Sequence, residues 1–303
     1  MTKDALNWLK VTISHPPVAA EAVSALLFDE GASGVWEDRP DGGGRQVTRA
    51  GFAPESETGL RSILPERLKY LAEIFDLPPA DFDLGLELEE DHDWAEKWKE
   101  GLRPIIVSPR LAVAPTWWPE EDLPERRFVL RLDPGLAFGS GHHATTWLCL
   151  SLLDEYAPAA RRILDVGSGS GILALAAARL NELAEITGID NDLETISVAL
   201  ENALSNNLEG RINFSGRTLY ELSPPFDLIV ANITLGPLVE LAPAISTRAG
   251  ADGRLILSGL LTVQAEEAAE AYTPLGWRQV RRLDRDEWSA LLLERAEAGE
   301  GRG

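Results

Sequence analysis

The stretch Arg162-Ile163-Leu164-Asp165-Val166-Gly167-Ser168-Gly169-Ser170-Gly171-Ile172-Leu173 decides how this chain is read. Its apolar run, Ile163, Leu164 and Val166, has the character of a strand buried on both faces of a parallel sheet. Gly167, Gly169 and Gly171 end that strand in a G-x-G-x-G pattern. The alanine- and leucine-rich residues 172–180 then predict a helix. A glycine turn between strand and helix lets backbone approach a ligand with no Cβ in the way. The free N–H groups of the helix start add donors. The spacing is one residue shorter than the G-x-G-x-x-G of dinucleotide enzymes, which favours a cofactor without a pyrophosphate. Asp165, just before the glycines, suits a cofactor with a positively charged amino-acid end. A second strand over 185–190 closes on Asp190, about 20 residues past the glycines, where a carboxylate accepts hydrogen bonds from ribose hydroxyls.

This arrangement of turn and acid resembles that of the S-adenosylmethionine-dependent Rossmann-like methyltransferases. The 303 residues provide for two domains, and 45% hydrophobic content is ordinary for a globular chain. No apolar run approaches the roughly 18–20 residues of a membrane helix. Met1-Thr2-Lys3-Asp4 lacks a signal-peptide pattern, so a cytoplasmic location without membrane contact is expected. Cys149 is the single cysteine, which excludes disulfide frameworks and cysteine-based zinc sites. A formal net charge of -21 disfavours direct nucleic-acid binding and is compatible with a basic protein substrate.

Taken in order, residues 5–14 predict a strand, 18–30 a helix stopped by Gly31, and 34–38 a strand. Residues 41–44 predict a turn, 46–52 a partner strand, 62–75 a helix with Pro65 near its first turn, and 82–88 a fourth strand. This β-α-β-β-α-β order predicts a small ferredoxin-like α+β domain over 1–90. It holds no catalytic cluster, so binding or scaffolding is its expected task. Residues 91–104 form the expected helical linker, with Trp94 and Trp98 on one face. Strands are expected over 105–113 and 128–132.

Residues 133–146 combine glycines, hydroxyls and two histidines before a helix over 146–156, with Thr145 or Thr146 as its cap. Such a loop beside a cofactor can also act as a lid. His142 and His143 are sequence neighbours that point apart, and no second ligand cluster accompanies them. No metal site is expected, and His143 is read as ordering the loop rather than as a base. Further along, helices are expected over 192–204, 238–249 and 264–272. Strands are expected over 211–215, 227–233 and 254–259, with a hairpin of 277–283 and 288–294. Together these predict an α/β fold: a Rossmann-like seven-stranded sheet over 105–303, with a frayed tail from 296.

Asp133-Pro134-Gly135-Leu136-Ala137-Phe138-Gly139, with His143 and Thr145-Thr146, resembles the signature loop of the PrmA family, which methylates the eleventh protein of the large ribosomal subunit. Asp93-Trp94-Ala95, Val230-Ala231-Asn232-Ile233 with Gly236-Pro237-Leu238, Leu257-Ser258-Gly259-Leu260 and Glu287-Trp288 are similar to the family pattern as well. The sequence departs from it at Ala144, where the family usually has proline, at Ser168 for a common cysteine, at Asn191 and Leu193, and at Thr234-Leu235. The resemblance implies S-adenosylmethionine as cofactor, contacted by Phe138, Thr145, Thr146, Gly167, Gly169, Asp190 and Asn232, with Asp165 beside them. It implies Asn232 and Trp288 as catalytic residues and methylation of lysine side chains and the N-terminal amine of a basic ribosomal protein by a monomeric enzyme. The competing readings are a lysine methyltransferase for another protein such as an electron-transfer flavoprotein subunit, an NAD-dependent oxidoreductase, and a non-catalytic ribosome-assembly binder.

Overall fold

The structure is a computed structural model that describes residues 7–32, 34–38, 45–90, 103–123, 127–133, 143–223 and 225–296. The chain divides into two compact units, residues 1–103 with 134–136, and residues 104–133 with 137–303. The expected 41–44 turn, most of the linker including Trp94 and Trp98, Phe138, His142 and the tail from 297 lie outside the described residues.

In the first unit, β1 (Asn7–His15) is followed by α1 (Ala20–Asp29), β2 (Gly34–Asp38), β3 (Gln46–Phe52), α2 (Glu57–Ile74) and β4 (Asp83–Glu90). The strands pair antiparallel in the order β2-β3-β1-β4, the ferredoxin-like arrangement. Alternation along β1 turns Leu9, Val11 and Ile13 to one face, opposite Leu88, Leu86 and Leu84 of β4. Val23 and Leu27 of α1 complete the core with Leu60, Leu64, Leu68 and Ala72 of α2, a stripe four residues apart.

That stripe corrects the expected start of α2. Pro65 lies inside the helix, not near its first turn. Pro65 is exposed, so its ring meets no packed neighbour, and the apolar stripe carries the helix through the one hydrogen bond that proline cannot donate.

The second unit begins with β5 (Ile105–Ile106), β6 (Leu111–Ala114) and β7 (Phe128–Arg131), a separate three-stranded sheet. The single strand expected over 105–113 is therefore two. Ser108 Oγ accepts from the N–H groups of Arg110 and Leu111, and the chain folds back through Pro109.

Next come α3 (Ala144–Tyr156), β8 (Arg162–Val166), α4 (Ile172–Leu180), β9 (Glu185–Ile189), α5 (Leu193–Ser205), β10 (Ile212–Ser215) and β11 (Phe226–Asn232). They are followed by α6 (Leu235–Glu240), α7 (Ala242–Arg248), β12 (Ala249–Leu261), α8 (Ala265–Tyr272), β13 (Trp277–Arg285) and β14 (Trp288–Arg295). The one helix expected over 238–249 is thus two short ones. Pro243, in the first turn of α7, has no N–H to continue the earlier ladder. Residue 249 already belongs to β12.

The large sheet has the order β10-β9-β8-β11-β12-β14-β13. Neighbouring strands from β10 to β12 are parallel, and β14 runs antiparallel to both its neighbours. This is the Rossmann-like seven-stranded α/β sheet read from the strand–helix alternation. Its strand order reverses between β8 and β11, and open α/β sheets bind their ligands at the carboxyl ends of strands at such a reversal. Alternation divides the side chains between two apolar layers. Ile163, Leu228, Val230, Ile256 and Leu292 face the layer of α3, α4 and α5. Leu164, Val166, Ile229, Ala231, Leu255 and Leu291 face the layer of α6, α7 and α8.

Candidate active site

The same alternation assembles the site. One step of two residues from the α3-facing core positions leads to Asp165 on β8, Asn232 on β11 and Ser258 on β12. Trp288 opens β14, which runs against β12, so it arrives at the same edge and packs on the same layer. Residues far apart in sequence thus share one sheet face at the carboxyl edge of the parallel strands.

The glycine turn is held by the neighbouring strand: Gly167 and Ser168 both donate their N–H groups to the Ile189 carbonyl, at 2.9 and 3.0 Å. Gly167, Gly169 and Gly171 have φ of 69, 53 and 80°, a left-handed backbone that favours glycine. A Cβ on Gly167 would lie 2.5 Å from the Ile233 Cγ2 methyl, so the turn also needs glycine for space. Gly171 ends the turn as the cap of α4. Asp165 Oδ2 accepts the Ala174 N–H at 3.1 Å, which satisfies one free donor of that helix. Asp190 Oδ2 accepts the Gly169 N–H at 2.9 Å and its Oδ1 the Asp192 N–H at 3.1 Å. The carboxylate expected to hold a ribose therefore also ties β9 to the glycine turn.

The cap of α3 is His143, not Thr145 or Thr146. Its imidazole accepts the Thr145 N–H, while Thr145 and Thr146 sit inside the first turn and are buried. The ring also meets Trp288 edge-on, with centroids 4.8 Å apart. Among the described residues no group of three or more His, Cys, Asp or Glu has the arrangement of a metal site.

Electrostatics follow from burial. Loss of solvent pushes the Asp165 carboxyl up to about 7, the Ala174 N–H opposes this, and the Asp190 charge adds to it. Burial lowers His143 to about 4, so its ring is neutral near pH 7. Burial also raises the Cys149 thiol on α3, which Ser258 partly offsets by a hydrogen bond and Asp165 reinforces by its charge.

Eight buried side-chain atoms among the described residues make no hydrogen bond, and six lie at this edge: Thr146 Oγ1, Asp165 Oδ1, Ser168 Oγ, Ser215 Oγ, Asn232 Oδ1 and Trp288 Nε1. Leaving one such group unmet costs about 1–3 kcal/mol. Their spread along the carboxyl edge of the sheet leaves several polar groups there unmet, as a polar ligand would require. Hydroxyls, a carboxylate, an amide oxygen and an indole N–H fit a nucleoside carrying an ammonium and a carboxylate. Sequence reasoning singled out Thr146, Asp165, Asn232 and Trp288 but gave Ser168 and Ser215 no role in the site. It also did not connect Cys149 with Ser258, or Ser258 with Ser289, whose carbonyl accepts the Ser258 hydroxyl at 2.9 Å. The one available signal was the period-two count along β12 from Ile256 to Ser258.

Comparison with known proteins agrees with this geometry. The family described as Ribosomal protein L11 methyltransferase (PrmA) matches residues 7–296. A ribosomal protein L11 methyltransferase from Shewanella sediminis is 36% identical over 294 residues, 94% of this chain and 98% of that protein. Another from Symbiobacterium thermophilum is 35% identical over 315 residues, 95% of this chain and 99% of that protein. Among solved structures, the ribosomal protein L11 methylase from Lactobacillus delbrueckii subsp. bulgaricus matches with a TM-score of 0.60 at 31% identity, over 64% of this chain and 99% of its own.

Proposed function

The chain belongs to the family of ribosomal protein L11 methyltransferases (PrmA), and from that membership we propose that it methylates ribosomal protein L11 at lysine side chains and the N-terminal amine, using S-adenosylmethionine. The observation that carries the reading is the match across residues 7–296, together with a fitting set of polar groups at the sheet's carboxyl edge.

S-adenosylmethionine supplies an electrophilic methyl group on a sulfonium. The chain's own residues position both partners. Gly167 and Gly169 give close backbone approach, and Asp190 holds the ribose. Thr145, Thr146 and Asp165 would surround the amino-acid end, and the family resemblance adds Phe138 to them. Asn232 Oδ1, buried and without a partner, accepts a hydrogen bond from the incoming amine and aims its lone pair. Trp288 walls the amine channel, and its ring face stabilises a cationic product.

The amine must react uncharged. Removing its proton at pH 7 costs about 4–5 kcal/mol from an ordinary lysine value of 10.4. Burial and a nearby sulfonium both lower that value. Orientation then supplies most of the acceleration, and no strong protein base is required. His143, neutral and capping α3, is not one.

The ferredoxin-like unit serves as the substrate-recognition domain in this proposal. The acidic chain, at -21, attracts a basic substrate rather than nucleic acid and works as a cytoplasmic monomer. Mass spectrometry of L11 after incubation with enzyme and S-adenosylmethionine tests the reading. The expected result is mass added in whole methyl units, mapped to lysines and the N-terminal amine. An unmodified L11 in the presence of cofactor-bound enzyme refutes it.

A further inference from the structure

His143 stands where the start of α3 meets the start of β14. Its Nδ1 lies 2.7 Å from Thr145 Oγ1 and 3.3 Å from the Thr145 backbone nitrogen. A backbone N–H can only donate, so Nδ1 is the acceptor. The Thr145 hydroxyl must then donate its own proton into the same nitrogen, and the neutral ring carries its hydrogen on Nε2. With its proton committed, Thr145 Oγ1 can only accept from anything else. An oxygen of that kind suits an ammonium and repels a carboxylate. The imidazole also meets the Trp288 indole at 4.8 Å between centroids and 64° between planes, an edge-to-face contact.

We propose that His143 is a positioning residue with two tasks: it turns Thr145 Oγ1 into an acceptor for the ammonium of the cofactor, and it braces the Trp288 indole beside the amine. This rests on the methyltransferase reading above. A helix cap needs only an acceptor, and asparagine supplies one. Bracing an indole needs a ring. The residue found here meets both needs, and its low basicity keeps a second positive charge away from a sulfonium.

Two substitutions separate the tasks. His143→Asn keeps an acceptor and loses the ring; His143→Phe keeps a ring and loses the acceptor. Calorimetry with S-adenosylmethionine and steady-state methylation of L11 are measured on the full chain, with thermal melts alongside. For His143→Asn the expected result is cofactor Kd unchanged from wild type and kcat about three- to tenfold lower. For His143→Phe it is Kd raised at least about tenfold, with kcat at saturating cofactor within about threefold. Wild-type kcat in His143→Asn, or wild-type Kd in His143→Phe, overturns the proposal. So does loss of both quantities in both variants in step with a lowered Tm, because that pattern is structural. Wild-type protein that binds no S-adenosylmethionine overturns the underlying reading, a separate and recognisable failure.

Discussion

Gly167→Ala tests the packing of the glycine turn, and Gly210→Ala supplies its control. Both glycines have nearly the same left-handed backbone, φ 69 and 71°. Adding a methyl group to that conformation costs roughly 1–2 kcal/mol at either position. Their surroundings differ. A Cβ on Gly210 meets nothing within 4 Å, whereas one on Gly167 falls 2.5 Å from Ile233 Cγ2. Ile233 must leave its rotamer or the turn must shift, which adds about 1–3 kcal/mol. The expected loss is therefore about 1–2 kcal/mol for Gly210→Ala and about 2–5 kcal/mol for Gly167→Ala, read from urea unfolding. Because Gly167 belongs to the proposed cofactor site, its variant should bind S-adenosylmethionine at least about tenfold more weakly, a change of about 1.4 kcal/mol. Gly210→Ala should bind as wild type does. Equal stability losses for the two variants, with equal affinity, would refute the argument that Ile233 closes the space beside the turn.

Asp190→Asn should weaken S-adenosylmethionine binding about 10- to 100-fold by calorimetry, the range for a hydrogen bond to a charged group. An unchanged Kd would remove Asp190 from the ligand site. Asn232→Ala should lower kcat for L11 methylation about 100-fold; full activity would defeat the role assigned to the amide. Asp165 titrates near 7 in the folded chain against 3.8 as reference, so the folded state holds a proton that the unfolded chain releases between these values. Stability then falls as pH rises, by about 1.4 kcal/mol per unit. Wild type should therefore lose about 3–4 kcal/mol relative to Asp165→Asn between about pH 4 and about pH 8, with the curves running parallel above that. Parallel pH–stability curves over that range would contradict this. Pro65→Ala should raise stability by about 1–3 kcal/mol in urea melts, by restoring an interior hydrogen bond in α2.

The strand that carries Asp165, the glycine turn and the acid at Asp190 were all legible, because each is a local pattern with a fixed period or spacing. The ferredoxin-like element order and the seven strands of the large sheet followed from the alternation of elements, whereas the separate sheet of β5, β6 and β7 did not. Prolines misled in both directions. Pro65 argued for a helix start yet stands inside α2, where exposure lets an amphipathic stripe override it. Pro109 and Pro243 interrupt elements that apolar content alone had made continuous. The cap of α3 was misread because threonine is a common cap, while imidazole fills that role here by bending back to the Thr145 N–H. The contacts of His143 with Trp288, and of Cys149 with Ser258, join residues more than a hundred positions apart. Only the sheet order brings them together.

Cys149 has no solvent exposure, and burial keeps its sulfur protonated. Alkylating reagents attack thiolates, so the folded chain should ignore them. Any label that does attach would record a moment when α3 had lifted away from the sheet. The first turn of that helix carries His143, Thr145 and Thr146, so the same excursion dismantles the proposed cofactor site. A molecule bound there would slow labelling in proportion to its occupancy. The single thiol is thus a chemical clock for the opening of that site, and it reads ligand affinity without any reference to methyl transfer.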